Sequence, residues 1–356
     1  MQKVKFENIF EDVTKHGRKI PTNCYLQEGQ FPIIDQGQNE IAGYTNDNKG
    51  IFANVPVIVF GDHTRIIKYI KTPFFLGADG VKVLKPILGN VDYKYLYYFL
   101  SNVSIPDTGY NRHFKWLKEV EIPLPPIEDQ KVIAERLDKV SELIEKRKEQ
   151  IKKLDLLIKS RFLEMFGDKL NEDTLLNLCN IIDYRGKTPE KVESGLPFIT
   201  AKNIKMHQFN MDPREYISKE TYDKVMVRGF PKEGDVVFTT EAPLGNVCRI
   251  PFFETKFYIG QRIVTFQTTK LNPIYLEYAL DTDGFRKKLA EKASGSTVTG
   301  VRVRLLEQLT IPVPSIELQN QFAEFVEQVD KLKVVVKTHL EKLETLKKSL
   351  MQQYFR

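Results

Sequence analysis

The chain has 356 residues, 42% hydrophobic and 28% charged, the profile of a globular protein long enough to bury two or more cores. Its longest apolar runs, such as "VPVIVF" at 55–60, fall far short of the ~20 residues a membrane span needs, and "MQKVKFENIFEDV" lacks the apolar centre of a secretory signal. Cys24, Cys179 and Cys248, odd in number and scattered, argue against a disulfide framework or a thiolate zinc site and for a cytoplasmic location, while a net charge of +6 permits a polyanionic partner without requiring one.

In chain order, the first 120 residues are strand-rich. "GIFANVPVIVFG" (50–61) and "GVKVLKP" (80–86) set β-branched and aromatic residues between Gly and Pro, which predicts strands. "VDYKYLYYFLSN" (91–102) fits a short amphipathic helix. "GDHTR" (61–65) suggests acid and base groups, but reads better as a turn set around a buried histidine. At "EIPLPPIEDQKVIAERL" (121–137) the character changes. Pro123, Pro125 and Pro126 hold the chain extended, and Glu128 and Asp129 suit the positive end of a helix dipole. Ile133, Leu137, Val140, Ile144, Ile151, Leu154, Ile158 and Met165 then step by threes and fours, which predicts a coiled-coil helix of some 34 residues, ~50 Å long.

A second strand-rich stretch follows, with "GDVVFTT" (234–240) and "FYIGQRIVTFQ" (257–267) as strands and "NPIYLEYALDT" (272–282) as a helix. Nothing in it reads as catalytic. "RGKT" (185–188) has Ile181 where a phosphate loop needs its first glycine. "NPIY" (272–275) has Ile274 in place of the second proline of amino-methyltransferases, and reads as helix packing. His16, His63, His113, His207 and His339 lack metal-ligand spacing. "TIPVPSIELQNQFAEFV" (310–326) opens a second long helix, with Phe322, Val326, Val329, Val336, Leu340, Leu343, Leu350 and Tyr354 along its stripe.

The two helix openings are copies. A shift of 189 positions sets Ile122, Pro123, Pro125, Ile127, Glu128, Gln130, Ala134 and Glu135 on identical residues from Ile311 to Glu324, without a gap to the C-terminus. The strand-rich segments echo each other more faintly, "FFLGADGVKVLKP" beside "FYIGQRIVTFQTT" and Tyr95, Leu96 and Tyr98 beside Tyr275, Leu276 and Tyr278. The chain is therefore a duplication, A–B–A′–B′, and two equal helices in one chain are expected to pair with each other antiparallel. The expected fold class is α+β, with boundaries at 1–124 (first recognition domain), 125–170 (central helix), 171–313 (second recognition domain) and 314–356 (C-terminal helix).

Basic and polar residues gather on loops of each A segment, where base-edge and phosphate contacts would need them. In the first copy these are Arg18, Lys19, Arg65, Lys68, Tyr110, Asn111, Arg112 and Lys115. In the second they are Arg185, Lys187, Lys202, Asn203, Lys205, Thr297, Thr299 and Arg302. No catalytic or metal-binding residue is expected. Two further readings are an enzyme, as a single-chain methyltransferase or nuclease remnant, and a coiled-coil adaptor without DNA contact.

The repeated "IPLPPIEDQ"/"IPVPSIELQ" entry, with "GDHTR", "GYNRHFKWLKEVEIPLPP", "DYRGKTP" and "EAPLGNV", resembles the specificity subunit of Type I restriction–modification systems over nearly the whole chain. The resemblance implies two target recognition domains, each reading one half of a bipartite site in double-stranded DNA. It also implies two antiparallel spacer helices related by a pseudo-twofold axis. Such a subunit has no catalytic centre and no cofactor of its own. Two modification subunits use S-adenosylmethionine to methylate adenine N6, and two restriction subunits add ATP- and Mg-dependent translocation and cleavage.

Overall fold

The computed structural model describes residues 2–77, 79–109, 111–167, 171–184, 186, 189–295 and 299–355. The chain divides into two compact units, Met1–Glu149 with Lys337–Arg356, and Gln150–Val336.

The first unit opens with β1 (Gln2–Lys5), α1 (Phe6–Ile9) and β2 (Phe10–Asp12). Six strands follow: β3 (Phe31–Ile34), β4 (Gly43–Thr45), β5 (Val57–Gly61), β6 (Ile67–Ile70), β7 (Phe75–Leu76) and β8 (Val81–Pro86). Then α2 (Tyr93–Asn102), α3 (Phe114–Lys118) and β9 (Glu121–Leu124) lead into α4 (Ile127–Phe166). One sheet has the order β2-β8-β5-β6, a second β4-β3-β7, and β1 pairs with β9. All pairs are antiparallel except β3 with β7. Every residue of β5 is buried, because the strand has a core on each face. Ile58 and Phe60 join Leu84, Tyr95 and Leu96 on one side, while Val57 and Val59 join Phe52, Phe74 and Leu76 on the other. Asp92 starts α2 by accepting the Tyr95 amide at 2.8 Å, satisfying one orphan donor of the first turn.

The second unit repeats this plan. It runs through β10 (Glu172–Thr174), α5 (Leu175–Leu178), β11 (Asn180–Asp183), β12 (Leu196–Ile199), β13 (Ile204–Lys205), β14 (Gln208–Phe209) and β15 (Tyr216–Ile217). After α6 (Lys219–Val225) come β16 (Val236–Thr239), β17 (Val247–Arg249), β18 (Tyr258–Ile259) and β19 (Ile263–Gln267). Last are α7 (Pro273–Ala279), α8 (Asp283–Lys292), α9 (Val303–Leu306), β20 (Thr310–Pro312) and α10 (Ile316–Phe355). The sheets β11-β19-β16-β17 and β15-β12-β18 match the first unit strand for strand, down to the parallel pair β12–β18. β16 is again buried along its length, with Val236 and Phe238 in one core and Val237 in another. The β13–β14 hairpin, α6 and α8 are additions to the second copy.

Both long helices have 40 residues, more than the heptad count suggested, because they start at Ile127 and Ile316, within two places of the last proline of each opening. Within the first unit their segments run antiparallel: Arg136 Nη1 donates to the Tyr354 hydroxyl at 2.9 Å, and Phe355 packs its ring on Tyr95 and Phe99. Within the second, Lys333 Nζ meets Asp155 at 2.7 Å and Phe322 packs edge-on against Phe162. Burial falls on the expected stripe, with Leu137, Val140, Ile144, Ile158, Phe322, Val326, Val329 and Val336 all buried. In each copy a tyrosine of the short helix ties down the proline segment: Tyr95 and Tyr275 donate to the carbonyls of Pro123 and Pro312, both at 2.7 Å. Burial pushes the Tyr95 hydroxyl up to about 12, so it stays protonated and donating. "NPIY" is thus helix packing, with Asn272 capping α7 and Tyr275 fully buried.

Candidate nucleic-acid interface

Four connections meet in the first unit: the stretch after β3, the β5–β6 turn, the β7–β8 turn and the segment before α3. Gln36 joins three of them. Its Oε1 accepts from the His63 amide at 3.1 Å, its Nε2 donates to the Asp79 carbonyl at 3.1 Å, and its own carbonyl accepts from Thr64 Oγ1 at 2.6 Å. Gly80, at φ +90, lies so close that a Cβ there would stand 2.7 Å from Gln36 Oε1. The fourth connection is stitched on through Asp62 and His113. The buried Asp62 carboxylate accepts the Phe114 amide at 2.7 Å, and its carbonyl accepts from His113 Nδ1 at 3.0 Å. His113, not His63, is the buried histidine. His63 is half-buried and donates from Nδ1 to the Asn111 carbonyl at 3.2 Å. A carbonyl only accepts, so Nδ1 carries the proton in both rings.

This frame places most of the predicted first-unit residues together. Arg18 pairs with Asp47, Lys19 with Asp79 at 2.6 Å, and Arg65, itself at φ +64, with Asp107 at 2.9 Å. The Lys19 ammonium holds the Asp79 carboxyl below the usual aspartate range. Asn111, Arg112 and Lys115 are exposed on the adjoining segment. Lys68 does something else. It is 7% exposed, and its ammonium donates to the carbonyls of Asp35 and Asn39 at 2.9 and 2.5 Å, fastening the stretch after β3 to β6 from within. Tyr110 lies outside the described residues.

The second unit uses the same four connections. Gly186, Thr240, Gln261, Gly300 and Arg302 line a cavity of about 340 Å³. Gln261 also lines a neighbouring cavity of about 270 Å³ with Phe198, Ala201, Lys202, Glu215 and Arg262. Backbone bonds from the Val301 amide to Thr240 and from the Thr240 amide to Arg262, both 2.9 Å, hold three of these loops side by side. Arg262 Nε reaches Glu241 at 2.8 Å, and Lys191 reaches Glu215 at 2.7 Å. Lys202, Lys205, Thr299 and Arg302 are exposed. Asn203 is a loop fastener like Lys68. At 2% exposure it accepts from the Thr200 amide at 2.9 Å and donates to the carbonyls of Asn210 and Pro213. Arg185, Lys187 and Thr297 lie outside the described residues.

Residue type marked the basic loops but not their organisers. Gln36, Asp79, Gln261 and Arg262 were not singled out, although the last three stand just after the glycine shared by "FFLGADG" and "FYIGQRI".

Two copies of one small domain, each presenting the same set of polar loops and each tied to a segment of a helix pair, define a duplicated recognition protein. The chain belongs to the family described as the Type I restriction modification DNA specificity domain, which matches residues 1–153 and 171–345. Among curated relatives it is 23% identical over 349 residues to the EcoR124I/EcoR124II specificity subunit of Escherichia coli, covering 91% of this chain and 84% of that protein. It is 24% identical over 267 residues to the MjaVIII specificity subunit of Methanocaldococcus jannaschii, a match that takes in 67% of this chain but only 61% of the relative. The crystal structure of the Type I S subunit from M. genitalium shares the fold, with TM-score 0.60 at 17% identity over all of this chain and 96% of that one. A chain from a study of complex assembly and conformational transition in a type I system gives 0.55 at 18% identity, with 100% and 97% covered. No helix among the described residues is long and apolar enough to cross a membrane.

Proposed function

We propose that this chain is the non-catalytic DNA-reading subunit of a Type I restriction–modification complex, with each unit reading one half of a bipartite duplex target. The observation that carries this reading is the repetition of one four-connection loop set, with exposed Arg112 and Lys115 in one copy and Lys202, Lys205 and Arg302 in the other. Such loops supply phosphate contacts for position and polar side chains for base edges. The 40-residue helices, with a contour of ~60 Å each, would set the distance between half-sites and dock two modification subunits. The chain would need no cofactor of its own. S-adenosylmethionine would belong to the modification subunits, and ATP and Mg to the restriction subunits.

The experiment is to co-express the chain with its modification subunit and sequence the methylome. A motif of two short half-sites around a fixed unread spacer supports the reading. A continuous motif, or methyl transfer by the isolated chain, would overturn it.

A further inference from the structure

The second unit contains a charged cluster where its β13–β14 hairpin meets α7 and the long helices. His207 sits at the turn of the β13–β14 hairpin with φ +54, in the left-handed region that few side-chain-bearing residues adopt. Its ring stacks on Tyr278, centroids 4.2 Å apart and planes 11° off parallel. Nδ1 lies 2.8 Å from Glu277 Oε1, and Nε2 lies 3.0 Å from Asp281 Oδ2. Both carboxylates have other cations. Arg249 Nε meets Glu277 at 2.7 Å, while Lys159 and Arg286 meet Asp281 at 3.1 and 2.9 Å. Ionised carboxylates only accept, so both ring nitrogens donate and the ring is an imidazolium.

The cluster fastens the recognition sheet to both long helices. Lys159 comes from α4, and Arg249 of β17 also faces Asp330 of α10 at 3.8 Å. Asp330 in turn meets Lys333, which pairs with Asp155 of α4. Among facing groups, Tyr278 and the buried Cys248 thiol have burial raising their pKa values, so both stay neutral near pH 7. The first copy is built differently here. Tyr97 and Ser101 stand at the positions of Glu277 and Asp281, and Tyr98 donates to Asp138 at 2.8 Å.

We propose that His207, as an imidazolium bridging Glu277 and Asp281, is a positioning residue that fixes the second recognition domain on the spacer helices and thereby narrows the half-site spacing the protein accepts. This rests on the bipartite reading proposed above. Burial alone would push the imidazolium down, but Asp281 and Glu277 outweigh it and hold its pKa above the ordinary histidine value. Spacing discrimination should therefore be strongest at neutral and lower pH and relax as pH rises and the ring loses its proton.

The test uses the chain assembled with its modification subunit on duplexes carrying both half-sites at the native spacing and at one base pair more or less. The ratio of methylation rates at two spacings cancels the methyltransferase's own pH dependence. For the natural chain the ratio should fall about tenfold between pH 6 and pH 9, the scale of one lost charge-assisted pair. His207→Asn tolerates the left-handed backbone but cannot bridge two carboxylates as a cation, so its ratio should be low and flat with pH. Half-site sequences should stay the same. A ratio in the natural chain that does not move with pH overturns the proposal without any variant, as does a folded His207→Asn that keeps full discrimination. Absence of any spaced motif in the natural chain would overturn the bipartite reading, and this inference with it.

Discussion

Gln130 reaches back across the first turn of α4 and donates from Nε2 to the carbonyl of Pro125 at 2.8 Å. Its Oε1 accepts the Asp92 amide at 2.9 Å, so one buried amide joins the proline segment, the long helix and the start of α2. Gln319 does the same in the second copy, to Pro314 at 2.9 Å and from Asn272 at 2.8 Å. The repeated "IEDQ" and "IELQ" therefore keep the glutamine because it fixes where each recognition domain meets its helix. Gln130→Leu or Gln319→Leu leaves a buried carbonyl and a buried amide unpaired. Each should cost ~1–3 kcal/mol in urea unfolding, and an unchanged midpoint would contradict the assignment.

Phe322 is fully buried and touches the rings of Phe162, Phe166 and Tyr278 at 5.2–5.5 Å between centroids. Phe322→Ala should destabilise by ~3–5 kcal/mol, through lost burial and the cavity left behind. Calorimetry of the purified chain checks it. A loss under ~1 kcal/mol would mean that the junction repacks.

Exposed and buried basic residues should separate cleanly in DNA binding. Arg112→Ala and Arg302→Ala should each weaken binding at all sequences and reduce the slope of log K against log salt by about 1 if they contact phosphates. Lys68→Ala should instead lower the unfolding midpoint, because its ammonium serves the Asp35 and Asn39 carbonyls inside the fold. Equal salt slopes for Arg112→Ala and the natural chain would remove Arg112 from the interface.

The His207 cluster also makes a stability prediction. A histidine whose folded pKa lies above its unfolded value contributes stability that is complete below about 6.5 and lost as pH rises through the folded pKa. The urea midpoint should therefore fall between pH 6.5 and 9, and His207→Asn should flatten that dependence. Asp281, which burial pushes up but His207 and Lys159 hold well below the usual range, contributes stability that is present at neutral pH and is lost only as pH falls below about 3.8.

Much of this architecture was legible in sequence because long helices repeat their apolar spacing and both openings share two prolines and a glutamine at the same places. The recognition domains hid their likeness. Their central strands β5 and β16 are short and almost wholly apolar and read alike with any buried strand, and the parallel pairs β3–β7 and β12–β18 join segments some 40 to 60 residues apart. Lys68 and Asn203 read as surface contacts in the sequence because residue type does not reveal whether a donor faces solvent or a buried carbonyl. Phe162, which stacks on Tyr275 at 5.6 Å, lies off the heptad series and was missed for that reason.

Spacing gives a separate test of the helices. Removing residues 144–150 and 333–339 together takes one heptad from matched positions of α4 and α10. The methylome should then show the same half-sites at a different spacing. Altered half-sites at the old spacing would refute a ruler role.

The central claim is that one unit reads one half-site. It is tested most directly by replacing residues 171–313 with the matching segment of a family member of different specificity and sequencing the methylome of the assembled complex. The account predicts a motif in which one half-site is exchanged and the other is untouched. Both halves changing together, or neither changing, would contradict it.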